Sequence, residues 1–176
     1  MSRPISAVLT IVLLAIPLGA QVAPSGEYKV KAAFLLNFFR YVEWPPSAPA
    51  EGPMYICVAG RNPFGPLLAE TVKGQTLNGR SLGARVILEP EANCHIVFVP
   101  EGAATTAYLR RASGTPTLTV GEYPGFIEQG GMIAFFLNGG NVRFTINPAA
   151  AERAGLRISA RLLELAQIAD DKGRVR

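Results

Sequence analysis

The chain has 176 residues, 49% of them apolar, which is enough for one sizeable hydrophobic core and a single domain. Seventeen lysines and arginines against 13 acidic residues give a formal charge of +4, spread along the chain rather than gathered in runs. Because no basic run is interleaved with aromatic residues, nothing indicates nucleic-acid binding.

Residues 1–20 have the organisation of a secretory signal peptide. Arg3 supplies a positive charge, a mostly apolar stretch runs to Leu18, and the small residues Gly19 and Ala20 follow. The apolar stretch is shorter than the roughly 20 residues of a membrane-spanning helix, although an uncleaved anchor is the alternative. We therefore expect export to the periplasm and a mature protein that does not insert into the membrane.

The folded domain is placed at residues 27–169, and its first predicted element is a helix from Glu27 to Trp44. Four residues at helical spacing form one apolar stripe along it: Val30, Phe34, Phe38 and Tyr41. Further apolar residues widen the apolar surface beyond this stripe, so burial on most sides is expected, with a homodimer face as the alternative.

Short apolar runs alternate with helical segments through the middle of the chain. The predicted strands cover residues 54–59, 84–88, 94–99 and 117–120, and the predicted helices cover residues 66–72 and 103–111. Residues 74–83 are expected to form a loop or a short extended piece. This alternation predicts a single α/β domain whose mostly parallel sheet carries helices on both faces.

The stretch from 130 to 147 predicts an antiparallel hairpin, which makes the sheet mixed. Two apolar runs flank residues 138–141, whose asparagines and glycines tolerate the positive φ of a tight turn. In the second run Val142, Phe144 and Ile146 should share one face. The first run is apolar on both faces and should lie deep in a sheet that is covered on both sides.

Two helices are predicted to complete the domain. Asn147 and Pro148 have the residue types of an N-cap and a first helical position. The last helix, residues 159–168, should bury its leucines, and the charged tail at residues 170–176 should fray.

The residue sets that catalysis and metal binding require are not evident. The turn at residues 60–65 lies where α/β sheets place phosphate sites, but neither glycine-rich phosphate signature fits it. His95 is the only histidine and begins a buried strand, so a core role is favoured over that of a ligand or base. No catalytic residue, metal or cofactor is predicted.

Cys57 and Cys94 are the only cysteines. Two cysteines in one small exported domain usually pair, and this pair would close a loop of about 37 residues. Two buried free thiols are the alternative.

Several segments resemble the YfiR/HmsC-like family of periplasmic regulatory proteins, in order along essentially the whole mature chain. They are residues 27–38, 42–45, 56–58, 62–65, 94–98, 118–121, 130–133, 142–147 and 154–159, followed by Leu162, Leu163, Leu165 and Ala166.

The resemblance implies a non-enzymatic periplasmic protein with an α/β fold. The best-known relative represses an inner-membrane diguanylate cyclase by binding its periplasmic sensor domain, which limits cyclic di-GMP and biofilm formation. The resemblance also implies that Cys57 and Cys94 pair and that their redox state tunes the repressor. Some relatives carry further cysteines near the central strand, and this chain has none there.

Two functional hypotheses follow. In the first, the protein binds the sensor domain of such a cyclase through the last strand and the following turn, with Arg143, Asn147, Leu156 and Arg157 at the surface.

In the second, the protein is a small-molecule binder or an enzyme that uses the strand ends near residues 60–65 and 121–125. Its pocket would be lined by Phe64, Tyr123 and Phe126.

Overall fold

The structure, a computed structural model, describes residues 26–91, 93–102, 105–170 and 172–175. The predicted signal peptide lies outside these residues, so its existence and cleavage stay predictions. Within the described ranges, no helix combines the length and the apolar character that crossing a lipid bilayer requires.

Helices and strands alternate along the described part of the chain. The helices are α1 (Gly26–Tyr41), α2 (Leu67–Val72), α3 (Thr105–Ala112), α4 (Pro148–Arg153) and α5 (Ala160–Leu163). The strands are β1 (Val42–Glu43), β2 (Met54–Ala59), β3 (Thr76–Leu77), β4 (Arg80–Ile87), β5 (Cys94–Val99), β6 (Leu118–Gly121), β7 (Ile133–Asn138), β8 (Asn141–Ile146), β9 (Arg157–Ile158) and β10 (Gln167–Ile168).

Within the described ranges, eight strands form one sheet in the order β10-β8-β7-β6-β5-β2-β4-β3. The five neighbouring strands from β7 to β4 run parallel, whereas β8 returns antiparallel to β7 and β3 lies antiparallel to β4. Strands β1 and β9 pair separately as a two-stranded antiparallel sheet. The predicted α/β fold, with a mostly parallel sheet and a hairpin near the C-terminus, is confirmed.

Alternation along the central strands sends side chains into two cores on opposite faces of the sheet. Ile56 and Ile96 belong to a large core that α1, α2 and α4 cover. Cys57 and Val97 belong to a smaller core that α3 covers. Helices therefore lie on both faces, as predicted.

Helix α1 anchors the larger core. The buried Phe38 ring lies 6.0 Å from the ring of Phe135 and 5.6 Å from that of Phe144. Burial of such side chains is worth about 25 cal/mol per Å² of apolar surface. The core uses most of the apolar surface of α1, where Val30 alone among the large apolar residues is exposed, so little remains for a homodimer face on this helix.

Two predictions about α1 are wrong in detail. The helix ends at Tyr41 rather than Trp44 because the next two residues leave it to pair with β9 as strand β1. The predicted stripe is only partly right: Phe38 is buried and Phe34 and Tyr41 pack against the core, but Val30 is exposed. The buried residues of the helix are Lys31, Ala32, Leu35, Phe38 and Phe39.

Residues 74–83 form a second hairpin that the loop prediction missed. Strands β3 and β4 pair through Leu77 and Arg80, and Asn78 and Gly79 between them both have positive φ. Asn-Gly is the preferred dipeptide of such two-residue turns. Strand β4 therefore begins at Arg80, four residues before the predicted strand.

Other predicted boundaries are closer to those of the structure. Strands β2 and β5 have the predicted bounds, and β6 is shifted by one residue from the predicted strand at 117–120. Helix α3 begins at Thr105 in the structure, and residues 103 and 104 of the predicted helix lie outside the described residues.

The predicted last helix is wrong beyond its first turn. Helix α5 ends at Leu163, and the chain returns to the sheet as β10, which pairs in parallel with Thr145 and Ile146 of β8. Leu165 consequently lies outside the core with 62% of its surface exposed.

The tail, predicted to fray, folds back on the domain in its described part. Ala169 and Val175 form an antiparallel bridge, and Arg174 pairs with Asp170 at 2.9 Å.

The hairpin of β7 and β8 is confirmed, with Asn138 opposite Asn141 and with Val142, Phe144 and Ile146 buried on one face. The expectation that both faces of β7 are covered is wrong for its outer half. The smaller core reaches only Ala134 on the second face and does not include Phe136, since α3 packs over other strands.

Candidate functional site: a groove beside the last hairpin

Strand β7 extends beyond the end of its neighbour in the sheet, β6. Strands β6 and β7 pair only at Val120–Ile133 and Gly121–Ala134. Strand β6 ends there, while β7 continues to Asn138 with β8 as its partner. On the side of β6, residues 135–138 therefore have no strand beside them within the described residues.

The chain leaves β6 through a compact turn at residues 122–131. The Phe126 ring is fully buried in this turn and lies directly against the backbone of Gly121 and Gly131. A Cβ on either glycine would overlap the ring. Gly131 also donates a backbone hydrogen bond to the Phe126 carbonyl at 2.9 Å, so the turn is held at both ends.

A cavity of about 460 Å³ separates this turn from the unpaired part of β7; we call it the edge groove. One wall is β7 and the other is the turn, while β8, β10 and the C-terminal residues close the far end. The lining residues of these parts are Phe135, Phe136 and Leu137; Tyr123 to Glu128; and Thr145, Gln167, Gly173 and Val175.

A buried ion-pair cluster forms the end of the edge groove near α1. The ammonium group of Lys31, whose side chain is 5% exposed, donates to Oε2 of Glu122 at 2.5 Å and to Oε1 of Glu27. The Tyr28 hydroxyl donates to the other oxygen of Glu122 at 2.9 Å. Its ring centroid lies 4.8 Å from the Lys31 ammonium, which adds a cation–π contact.

The cluster also sets the protonation state of Tyr28. Burial raises the pKa of Tyr28 to about 12, helped by the hydrogen bond to Glu122 and by the negative charge of that carboxylate. The phenol therefore stays a neutral hydrogen-bond donor throughout the neutral pH range.

The edge groove is acidic although the chain as a whole is basic. Among the described residues that line it, Glu27, Glu122 and Glu128 face one cation, Lys31, which leaves an excess of two negative charges. Lys31 is already bound by two of these carboxylates, and Glu128 forms no ion pair within the described ranges.

Over residues 28–167 the sequence matches the YfiR/HmsC-like family. The chain belongs to the YfiR/HmsC-like family. Members of this family are periplasmic, non-enzymatic regulators that act in cyclic di-GMP signalling through partner proteins.

A crystal structure of a conserved domain protein from Vibrio cholerae O1 biovar eltor strain N16961 is similar to this chain, with 12% identity and a TM-score of 0.47. The similarity covers 80% of this chain and 59% of the other. Comparison with curated proteins gave no match.

Of the residues predicted to bind a partner, Arg143 and Arg157 are exposed and border different cavities of this YfiR/HmsC-like domain. Arg143 lies opposite Phe136 in the hairpin and borders a depression of about 240 Å³ together with Leu165. Phe136 and Gln167 line both this depression and the edge groove, so Arg143 belongs to the same surface as the groove.

The other two predicted partner residues are buried, and their assignment to the surface is wrong. The Asn147 side chain caps α4 by accepting a hydrogen bond from the Ala150 amide at 3.0 Å. Leu156 follows Gly155, whose φ is +77°, and its amide bonds to the Ala151 carbonyl at 3.0 Å. This is the Schellman ending of a helix, which turns the residue after the glycine into the core.

The residues predicted to line a ligand pocket do not meet in one cavity. Phe64 is fully buried in the larger core, against Tyr28 and Phe98. Tyr123 and Phe126 belong to the smaller core on the other face and line the edge groove.

The structure joins Cys57 and Cys94 by a disulfide bond, with their Cα atoms 5.8 Å apart on neighbouring strands. The Arg85 guanidinium covers this bond, with Nη2 at 3.9 Å from Sγ of Cys94. The same guanidinium stacks on the Tyr55 ring at 4.5 Å and pairs with Glu91 at 2.7 Å.

His95 is a core histidine, as the sequence favoured. It is 1% exposed; Nδ1 lies 3.4 Å from the Tyr55 amide, which donates to it, and Nε2 lies 3.4 Å from the Pro49 carbonyl. Burial lowers its pKa. Within the described residues, no group of three or more His, Cys, Asp or Glu side chains is placed to hold a metal ion.

A second cavity lies where the strand order reverses. The connection after β2 runs through α2 towards β4, and the one after β5 runs through α3 towards β6, so the crevice between these strand ends is a topological switch point. A cavity of about 400 Å³ is found there, between Gly60 and Pro100, with Tyr108 in its wall and Arg61 and Glu101 on its lining.

Sequence reasoning missed the ion-pair cluster. A lysine four residues after Glu27 on an apolar helix indicates a local pair. Nothing in the sequence indicates that Glu122, 91 residues after Lys31, completes it.

Proposed function

We propose that this protein binds the periplasmic sensor domain of an inner-membrane diguanylate cyclase and represses the cyclase, which lowers cyclic di-GMP and limits biofilm formation. The observation that carries the proposal is the family match over residues 28–167. The mechanism is stoichiometric: the protein binds one conformation of the sensor more tightly than the other and shifts the population towards the inactive state.

The surface that suits this role is formed by the edge groove and the adjoining face of the hairpin. Leu137, Leu165 and Val175 are 54%, 62% and 53% exposed, and each lines the groove or the depression beside Arg143. Exposed apolar side chains next to charged groups are typical of protein–protein contacts.

The direct test uses the exported protein recovered from the periplasm and the periplasmic sensor domain of an inner-membrane diguanylate cyclase of the same organism. We expect saturable binding by titration calorimetry under oxidising conditions. We also expect deletion of the gene to raise cellular cyclic di-GMP and its restoration in trans to reverse the rise. Absence of binding together with unchanged cyclic di-GMP would refute the proposal.

A second candidate function, small-molecule binding, is favoured by the cavity at the switch point. Open α/β sheets bind ligands at this position, and the walls here are apolar with one arginine and one glutamate nearby. A thermal-shift screen of metabolites tests it, since a ligand at 100 times its dissociation constant adds about 2.7 kcal/mol. Arg61→Ala should abolish any shift that this cavity produces.

A further inference from the structure

We infer that the edge groove takes an extended segment of the partner as an added β-strand beside β7, and that this segment alternates basic and apolar residues. The inference rests on the proposed function and specifies how the partner is bound. Strand addition at a free sheet edge is a general mode of peptide recognition, in which backbone hydrogen bonds supply affinity and side-chain contacts supply selectivity.

The hairpin register determines which backbone groups of β7 are free. Asn138 and Asn141 close a two-residue turn, so they exchange hydrogen bonds directly, and every second residue before Asn138 also faces β8. The odd-numbered residues therefore face the side of β6; the Phe135 amide lies at the last rung of the β6 ladder, and the Phe135 carbonyl and both backbone groups of Leu137 lie beyond the end of β6. Within the described residues, the turn at 122–131 forms no backbone hydrogen bond with Leu137.

The space beside these groups is open. Both Phe135 and Leu137 line the edge groove, and the opposite wall is the turn that β6 enters. A strand of four residues is about 13 Å long, which matches residues 135–138 of β7. Most exposed edges in soluble proteins are shortened or blocked, whereas this one lies at the side of a cavity.

The side chains around the edge select the character of the segment. Lys31 is neutralised by Glu27 and Glu122, so Glu128 adds negative charge without a cation beside it among the described residues. A basic segment therefore complements the groove. Leu137 is 54% exposed, so apolar side chains at alternate positions of the segment, which share the face of the sheet to which Leu137 points, would cover it.

Hydrogen exchange on the wild-type protein tests the inference with an internal control. With the periplasmic domain of the cyclase as the probe, the amide of Leu137 should exchange at least about tenfold more slowly in the complex. The neighbouring amide of Phe136 already faces β8 and should change little. Equal exchange of the Leu137 amide in the free and bound protein overturns the inference.

Two pairs of variants test it by affinity. Leu137→Pro removes the amide donor and should weaken binding by at least about tenfold, whereas Leu137→Ala keeps the donor and should weaken it less. Glu128→Lys should weaken binding by about tenfold, whereas Glu152→Lys makes the same charge change at an exposed site on α4 and should not.

The possible failures are distinguishable. If the wild type binds and both Leu137→Pro and Glu128→Lys bind equally well, strand addition is refuted and the proposed function stands. If the wild type does not bind the sensor domain, the proposed function and this inference fail together. Should Leu137→Pro unfold in a thermal melt, the exchange of the Leu137 amide and the Glu128→Lys pair decide between strand addition and another mode of binding.

Discussion

Lys31 and Glu122, 91 residues apart, meet at 2.5 Å between the ammonium nitrogen and Oε2 and tie the first turns of α1 to the end of β6. The two side chains are only 5% and 16% exposed, so each charge depends on the other for stabilisation. The contact joins the helix that anchors the larger core to one wall of the edge groove.

We expect Lys31→Met to destabilise the protein by about 3 kcal/mol. Removal of one partner from a buried ion pair leaves an uncompensated charge. The expected value lies at the lower end of the usual range because Glu122 and Glu27 line the groove, where water can solvate their carboxylates. Urea unfolding measures the change. Lys172→Met, at an exposed residue, is the control; equal stability of both variants would contradict a structural role for the pair.

Stability should fall at mildly acidic pH because of His95. Burial lowers the pKa of His95 below its ordinary value of 6.5, so the unfolded chain takes up the proton first. The free energy of unfolding is therefore unaffected by this residue above pH 6.5 and declines as the pH falls from 6.5 through the lower folded pKa. A series of urea titrations between about pH 7.5 and 5 measures this decline, since these values bracket the ordinary histidine pKa of about 6.5. In His95→Gln this part of the pH dependence should disappear.

Gly131→Ala should destabilise the turn beside the groove by about 1–3 kcal/mol, the usual cost of an extra methyl group in a filled core. The new Cβ would overlap both the ring and the carbonyl oxygen of Phe126. Gly102→Ala is a matched control, since a Cβ there has no neighbour within 4 Å. Thermal unfolding compares the two variants, and identical midpoints would show that the turn relaxes freely.

Reduction of the Cys57–Cys94 disulfide should lower the free energy of unfolding by about 3–4 kcal/mol, the value expected for closing a loop of this length in the unfolded chain. Denaturant titrations with and without reductant measure the loss. Mass spectrometry after alkylation without reductant tests the bond itself. Labelling of both thiols in the protein taken from the periplasm would mean that the bond does not form there.

Much of the local structure could be predicted because its causes lie between neighbouring residues. The asparagines and glycines of residues 138–141 specify the hairpin turn, and the Asn147 cap is a contact across three residues. Two features that the predictions missed also have local causes. Asn78 and Gly79 form the turn between β3 and β4, and Gly155 ends α4 and turns Leu156 into the core. The predicted last helix is too long because periodicity alone does not show where pairing with β8 begins.

The sequence by itself determined the family, the alternation of the central strands and helices and the two cysteines available to pair, since these depend on residue types and on contacts across a few positions. Only the tertiary structure decided that β7 extends beyond β6, that Lys31 reaches Glu122 and that Leu137 is exposed. Those outcomes depend on which strands become neighbours in the sheet, and that arrangement minimises the free energy of the whole chain rather than of any one segment.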